Sequence, residues 1–107
     1  RYFEALRMAG QIKSWEYETH NFRFGNIFSW LIDFTIRNND DSFEYFEYKG
    51  LVEPNTKQKL YAVAEYYPKA KITMVCADNK GVKKLGKRAS SICKRVCTLT
   101  EITKGVI

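Results

Sequence analysis

The segment from Ile27 to Lys49 constrains this chain more than any other. It holds two long runs of aromatic and β-branched residues, Ile27–Arg37 and Phe43–Lys49, separated by Asn38-Asn39-Asp40-Asp41. Such runs favour strands, and the polar quartet between them favours a tight turn. The segment therefore reads as an antiparallel hairpin. Side chains alternate faces along a strand, so Glu47 and Lys49 point the same way just before Gly50. Asp33, fourteen residues before Glu47, lies inside the first run among Trp30, Leu31, Ile32 and Phe34. A carboxylate among apolar residues is expensive unless a positive partner meets it.

The rest of the chain supplies helices around this hairpin. Arg1–Ala9 reads as a helix end, with Phe3 and Leu6 three apart and Gly10 as its cap. Ile12–Glu18 alternates as a strand and Asn21–Phe24 as a short one, turning at Gly25-Asn26. Pro54 opens a helix whose stripe is Leu60, Val63, Ala64 and Tyr67, and Pro68 closes it. Ile72–Ala77 is a continuous apolar run, the mark of a strand covered on both faces. Asp78–Lys87 reads as a basic loop, Ala89–Val96 as a short helix, and 98–107 as weakly structured or strand-like. The order is that of a mixed α/β domain.

Length fits one domain, and no segment approaches the roughly 20 apolar residues that a spanning helix requires. The three cysteines, Cys76, Cys93 and Cys97, have no disulfide pattern and read as reduced thiols. With His20 they form a remote zinc alternative. Net charge is +6 but divided: residues 1–65 carry eight Lys/Arg against ten Asp/Glu, and residues 66–107 carry ten against two. A polyanionic partner held by one region and processed by another fits that split, and plain solubility charge is the competing reading.

An Asp and a Glu meeting across neighbouring strands, with a Lys beside them, form a place for a divalent cation and for phosphodiester cleavage. A structural salt bridge within the sheet is the alternative, though buried ion pairs seldom add net stability. Lys80, Lys83, Lys84, Lys87 and Arg88, interleaved with Gly81 and Gly86, read as a clamp on a nucleic-acid backbone or as a solvated loop. Lys57 and Lys59 are further candidates for phosphate, and Gln58 for orienting a water. Trp15, Trp30 and the tyrosines read as packing rather than as base-stacking platforms.

Asp33, then Glu47-Tyr48-Lys49-Gly50, then a helix and an apolar strand, resemble the PD-(D/E)XK nuclease superfamily. The helix ending at Gly10, followed by Ile12-Lys13-Ser14-Trp15-Glu16-Tyr17-Glu18, is similar to phage-type endonuclease I, the Holliday-junction resolvases, and to small phage nucleases of that layout. The likeness covers Arg1 to about Ala77. It implies a restriction-endonuclease-like core, with a mixed central sheet of about four to five strands flanked by helices. It also implies metal-dependent hydrolysis of DNA, at branched structures in the resolvases, leaving a 5′-phosphate and a 3′-hydroxyl.

Asp33, Glu47 and the Tyr48 carbonyl would hold Mg²⁺, with Mn²⁺ as a substitute, and Lys49 would stand beside the nucleophile. The family commonly adds a Glu from the helix. Its closest counterpart would precede Arg1, so the chain is expected to be a single nuclease-like domain, 1–107, lacking part of that helix, with Glu4 as the acid left to serve. Ile32 stands where the family usually has Pro. The resemblance further implies a homodimer and, for a phage protein, the cytoplasm of a bacterial host. The competing functions are a catalytically inactive nucleic-acid-binding module with the same fold, and a small interaction domain whose basic tail meets an acidic partner.

Overall fold

The computed structural model describes residues 2–26 and 28–104. The elements run in the order α1 (Tyr2–Met8), β1 (Ser14–Tyr17), β2 (Asn21–Phe24), β3 (Phe28–Leu31), β4 (Phe34–Arg37), β5 (Phe43–Lys49), α2 (Pro54–Tyr66), β6 (Ile72–Cys76), α3 (Asn79–Ile92), β7 (Arg95–Thr98) and α4 (Leu99–Thr103). Five strands form one mixed sheet in the order β1-β4-β5-β6-β7, and β2 and β3 form a separate two-stranded ribbon. β1, β4 and β5 are antiparallel. β5, β6 and β7 are parallel and joined through α2 and α3, as parallel neighbours require a crossover. The chain is thus α/β, a mixed sheet flanked by helices.

The hairpin closes as its composition predicts. Asn38 and Ser42 end the ladder (Asn38 N to Ser42 O, 2.8 Å), and Asp41 takes a positive φ of 69° in the turn. Alternation along β5 divides the protein into two cores. Tyr45 packs with the larger core, which joins Phe22, Phe24, Trp30, Leu60, Met74 and Leu85. Phe46 packs on the opposite face with Phe3, Ile12, Ile36 and Phe34. β6 is buried at all five positions, as its unbroken apolar run predicts. Gly10, at φ 76°, ends α1: Gln11 N reaches back to Leu6 O at 2.9 Å and Gly10 N to Arg7 O at 3.0 Å.

Three segments differ from the sequence reading. The run read as Ile27–Arg37 is not one strand over Phe28–Arg37, and Ile27 lies outside the described residues. It breaks at Ile32-Asp33, so that β3 pairs with β2 and β4 joins the main sheet. The basic segment from Asn79 is helix rather than loop, and the later Ala89–Val96 helix is its continuation followed by β7. Val82, Leu85, Ala89 and Ile92 form one apolar stripe against the core, and Asp78 caps the start by accepting from Gly81 N at 3.2 Å. Gly86 accommodates a kink with φ 81°. Of the expected weak structure over 98–107, Leu99–Thr103 is a short helix held by a capping box, and 105–107 lie outside the described residues: Glu101 N donates to Thr98 Oγ1 at 3.2 Å and Thr98 N to Glu101 Oε1 at 2.8 Å. No described helix is long and apolar enough to cross a membrane.

Candidate functional site

The break at Ile32-Asp33 creates the site. Where a strand ladder stops, its backbone groups need other partners. Ile32, fully buried, sends its N–H to His20 O at 3.0 Å. Asp33 O accepts from Glu18 N at 2.8 Å. Asp33 N donates to Glu47 Oε1 at 2.9 Å, and Asp33 Oδ2 accepts from Tyr48 N at 2.9 Å. One step beyond the Phe34–Phe46 pair, Asp33 and Glu47 thus stand opposite each other across adjacent strands. The sequence reading of these two acids as neighbours agrees with this arrangement.

Glu47 is 4% exposed. Its Oε2 lies 3.2 Å from Lys49 Nζ and 3.4 Å from Trp30 Nε1. The acid and the amine share a face, as alternation along β5 predicts. Burial pushes the Glu47 carboxyl above its usual range, and the charge of Asp33 adds to the rise. The Asp33 amide and Lys49 pull the other way without cancelling it. An ionised Glu47 is therefore short of positive charge.

Asp33 and Glu47 are the only charged groups among the described residues lining a cleft of about 460 Å³. Its other walls are apolar and largely aromatic. Phe34 and Phe46 lie on Phe3, ring centroids 4.9 Å apart in each pair. Trp15, Tyr17 and Tyr48 form the sides, and Leu99 and Ile102 of α4 the far end.

Glu4 is not brought to this pair. Its carboxylate takes Arg7 Nε and Nη2 at 2.8 Å each and Trp15 Nε1 at 2.9 Å. Those bonds, Arg7 first, hold its pKa down at about 2. Among the described residues no three His, Cys, Asp or Glu side chains gather as a metal-holding group. The zinc alternative fails on the same ground: His20 stacks on Phe22 and Tyr45, and the three cysteines are buried and free. Burial holds Cys93 up at about 11.

The acid that sequence reasoning passed over is Glu18. It stands one step beyond the Tyr17–Phe34 pair, beside Asp33, with a positive φ of 52°. Its carboxylate lies beside the Tyr17 hydroxyl and raises that phenol's pKa. The available signal was register: with β1 beside β4, Glu18, Asp33 and Glu47 fall in one row across three strands.

Lys80, Lys83, Lys84, Lys87 and Arg88 are all exposed, along the solvent side of α3, and none is in an ion pair among the described residues. Arg88 lies over the Tyr61 ring at 4.0 Å. α3 follows β6 and begins at the end of the sheet where β5 finishes with Glu47 and Lys49. Lys57 and Lys59 are partly exposed early in α2, and Gln58 is exposed and does not line the cleft.

Compared with family models, curated proteins and solved structures, the chain matches none.

Proposed function

We propose that this protein is a metal-dependent endonuclease that hydrolyses DNA phosphodiester bonds on a restriction-endonuclease-like core. The observation that carries the reading is the pairing of Asp33 with Glu47 and the Tyr48 amide across adjacent strands, with Lys49 3.2 Å from the buried Glu47 carboxylate. A structural salt bridge does not need the second acid. A buried acid held up by burial and by a second acid beside it forms a poor ion pair and a good cation site.

The donor set fits a hard divalent ion. Mg²⁺ takes oxygen ligands, keeps several waters and is commonly held by one or two carboxylates plus substrate phosphate. Asp33, Glu47 and the main-chain carbonyl of Tyr48 would hold it, and Asp33 Oδ1 accepts no hydrogen bond among the described residues. Bound Mg²⁺ or Mn²⁺ supplies phosphate polarisation and a more acidic water. The chain's own groups do the rest. Lys49 brings a compact positive charge to the phosphoryl oxygens as charge develops there. The Asp33 and Tyr48 amides fix both carboxylates in place. Lys80, Lys83, Lys84 and Lys87 hold the DNA backbone without reading sequence. In the resolvase-like version of this reading, two copies cut two strands of branched DNA in the cytoplasm of a bacterial host.

A second reading is a nucleic-acid-binding module that keeps this fold and does not cut. It is favoured by the lack of a three-acid group among the described residues. Incubation with supercoiled plasmid and with a four-way junction in Mg²⁺ or Mn²⁺ separates the two. Nicking that a chelator stops, and that Lys49→Ala loses, supports the endonuclease. A mobility shift of the same DNA without cutting selects the binding module.

A further inference from the structure

We infer that Trp30 is a positioning residue of this site: together with the Asp33 amide it grips both oxygens of Glu47 and fixes the orientation in which that carboxylate meets a divalent cation. That the held carboxylate serves a cation rests on the endonuclease reading; the grip itself rests on two hydrogen bonds.

Both donors come from one short segment, Trp30–Asp33, at the break between β3 and β4. Asp33 N donates to Glu47 Oε1 at 2.9 Å, and Trp30 Nε1 to Glu47 Oε2 at 3.4 Å. The break frees the Asp33 amide for a side chain, and the ribbon carries the indole to the other oxygen. With a donor on each oxygen, Glu47 cannot turn about its last bond without losing one of them.

Packing alone does not explain an indole here. Trp30 is 3% exposed in the larger core, beside Phe22 with ring centroids 6.5 Å apart. A phenylalanine would fill such a core and bring no polar group, whereas a buried indole N–H needs an acceptor. Nor does the indole explain Glu47, since burying a carboxylate costs far more than leaving one N–H unpaired. A carboxylate required in one orientation explains both.

Lys49 and Trp30 meet the same oxygen but differ in how they respond to a cation. Lys49 Nζ lies 3.2 Å from Glu47 Oε2, yet its side chain is 24% exposed and carries a charge that a cation repels. The indole is neutral and its ring is locked in the core. Lys49 is therefore free to turn toward a substrate phosphate while Trp30 keeps its hold. A carboxylate, with about four lone-pair positions, has room for its donors and a metal together.

The test is a proton–nitrogen NMR spectrum of the protein, in which Trp15 and Trp30 give the two indole N–H signals. Trp15→Phe leaves the Trp30 signal alone and so assigns it. Glu47→Gln is expected to move that signal, and Mg²⁺ to move it in the wild-type protein but not in Glu47→Gln. The Trp15 signal, held by Glu4 at 2.9 Å, is expected to stay. Trp30→Phe, checked for folding by circular dichroism, is expected to bind Mn²⁺ about 10-fold more weakly by isothermal titration, the usual loss when a donor behind a metal ligand is removed. Phe22→Leu, which loosens the same core without touching the carboxylate, should stay within about two-fold of wild type.

A Trp30 signal that ignores Glu47→Gln would overturn the inference, whether or not Trp30→Phe folds. Wild-type Mn²⁺ affinity in Trp30→Phe, or an equal loss in Phe22→Leu, would also overturn it and leave Trp30 as packing, while Mn²⁺ binding by the wild-type protein keeps the endonuclease reading standing. A wild-type protein that binds neither Mn²⁺ nor Mg²⁺, with the Trp30 signal still following Glu47→Gln, supports the grip and removes the metal-dependent reading.

Discussion

Asp33 and Glu47 orient each other: the Asp33 amide donates to the Glu47 carboxylate at 2.9 Å, and the Asp33 carboxylate accepts from the amide that follows Glu47, also at 2.9 Å. Each acid is fixed by the other's strand, so a change at one displaces both.

The raised pKa of Glu47 gives a stability signature. Because the folded state raises it, ionisation opposes folding. Glu47's contribution is lost as pH climbs from the ordinary carboxylate range through the raised value. In chelator, the urea midpoint of the wild-type protein is expected to fall relative to that of Glu47→Gln as pH rises above the ordinary carboxylate range. Added Mg²⁺ should reverse the decline in the wild-type protein only. Parallel pH profiles for the two proteins would show that Glu47 is not a strained anion.

Lys49→Ala should reduce cleavage by about 100- to 1,000-fold, the usual loss when one charge-stabilising donor is removed. It also leaves Glu47 buried without its cation, so stability at neutral pH should drop by about 1–3 kcal/mol. Adding Glu47→Gln to that variant should recover part of the loss, since the orphaned charge is gone. A double mutant as unstable as the sum of the singles would show that the 3.2 Å contact carries no coupling.

Glu4→Gln should leave divalent-ion affinity within about two-fold of wild type, because its carboxylate is committed to Arg7 and Trp15. Glu18→Gly should raise stability by up to about 1 kcal/mol by relieving the positive φ. If Glu18 serves the site, that variant will be more stable and less active. Isothermal titration with Mn²⁺, thermal melting and the plasmid assay measure all three quantities.

Replacing Lys83, Lys84 and Lys87 with Ala should reduce the salt dependence of duplex binding by about 2–3 in log–log slope if each lysine neutralises one phosphate. An unchanged slope would assign those charges to solubility alone.

How much of this was legible depended on the kind of signal. The Asp33–Glu47 pairing and the shared face of Glu47 and Lys49 follow from the hairpin and from alternation, both written locally in the chain. The break at Ile32-Asp33 was not, because neither Gly nor Pro interrupts that aromatic run. It comes from tertiary pairing of Phe28–Leu31 with Asn21–Phe24. α3 was hidden by two glycines and five basic residues that suggest a loop, while its stripe of Val82, Leu85, Ala89 and Ile92 carried the contrary signal. Thr98 and Glu101 held a capping signature that the short segment after them made easy to pass over. The position of Glu18 depended on which strand lies beside β4, which no local pattern reports.

The interrupted strand ladder ties heredity to architecture here. Because the Glu47 side chain caps the Asp33 amide, swapping it for an apolar residue would leave a donor stranded, at a cost of about 1–3 kcal/mol. A descendant that gave up chemistry altogether would still be held to Glu or Gln at that position. Loss of activity in this lineage should therefore surface first at Glu18, whose removal strands no backbone donor and relieves a positive φ.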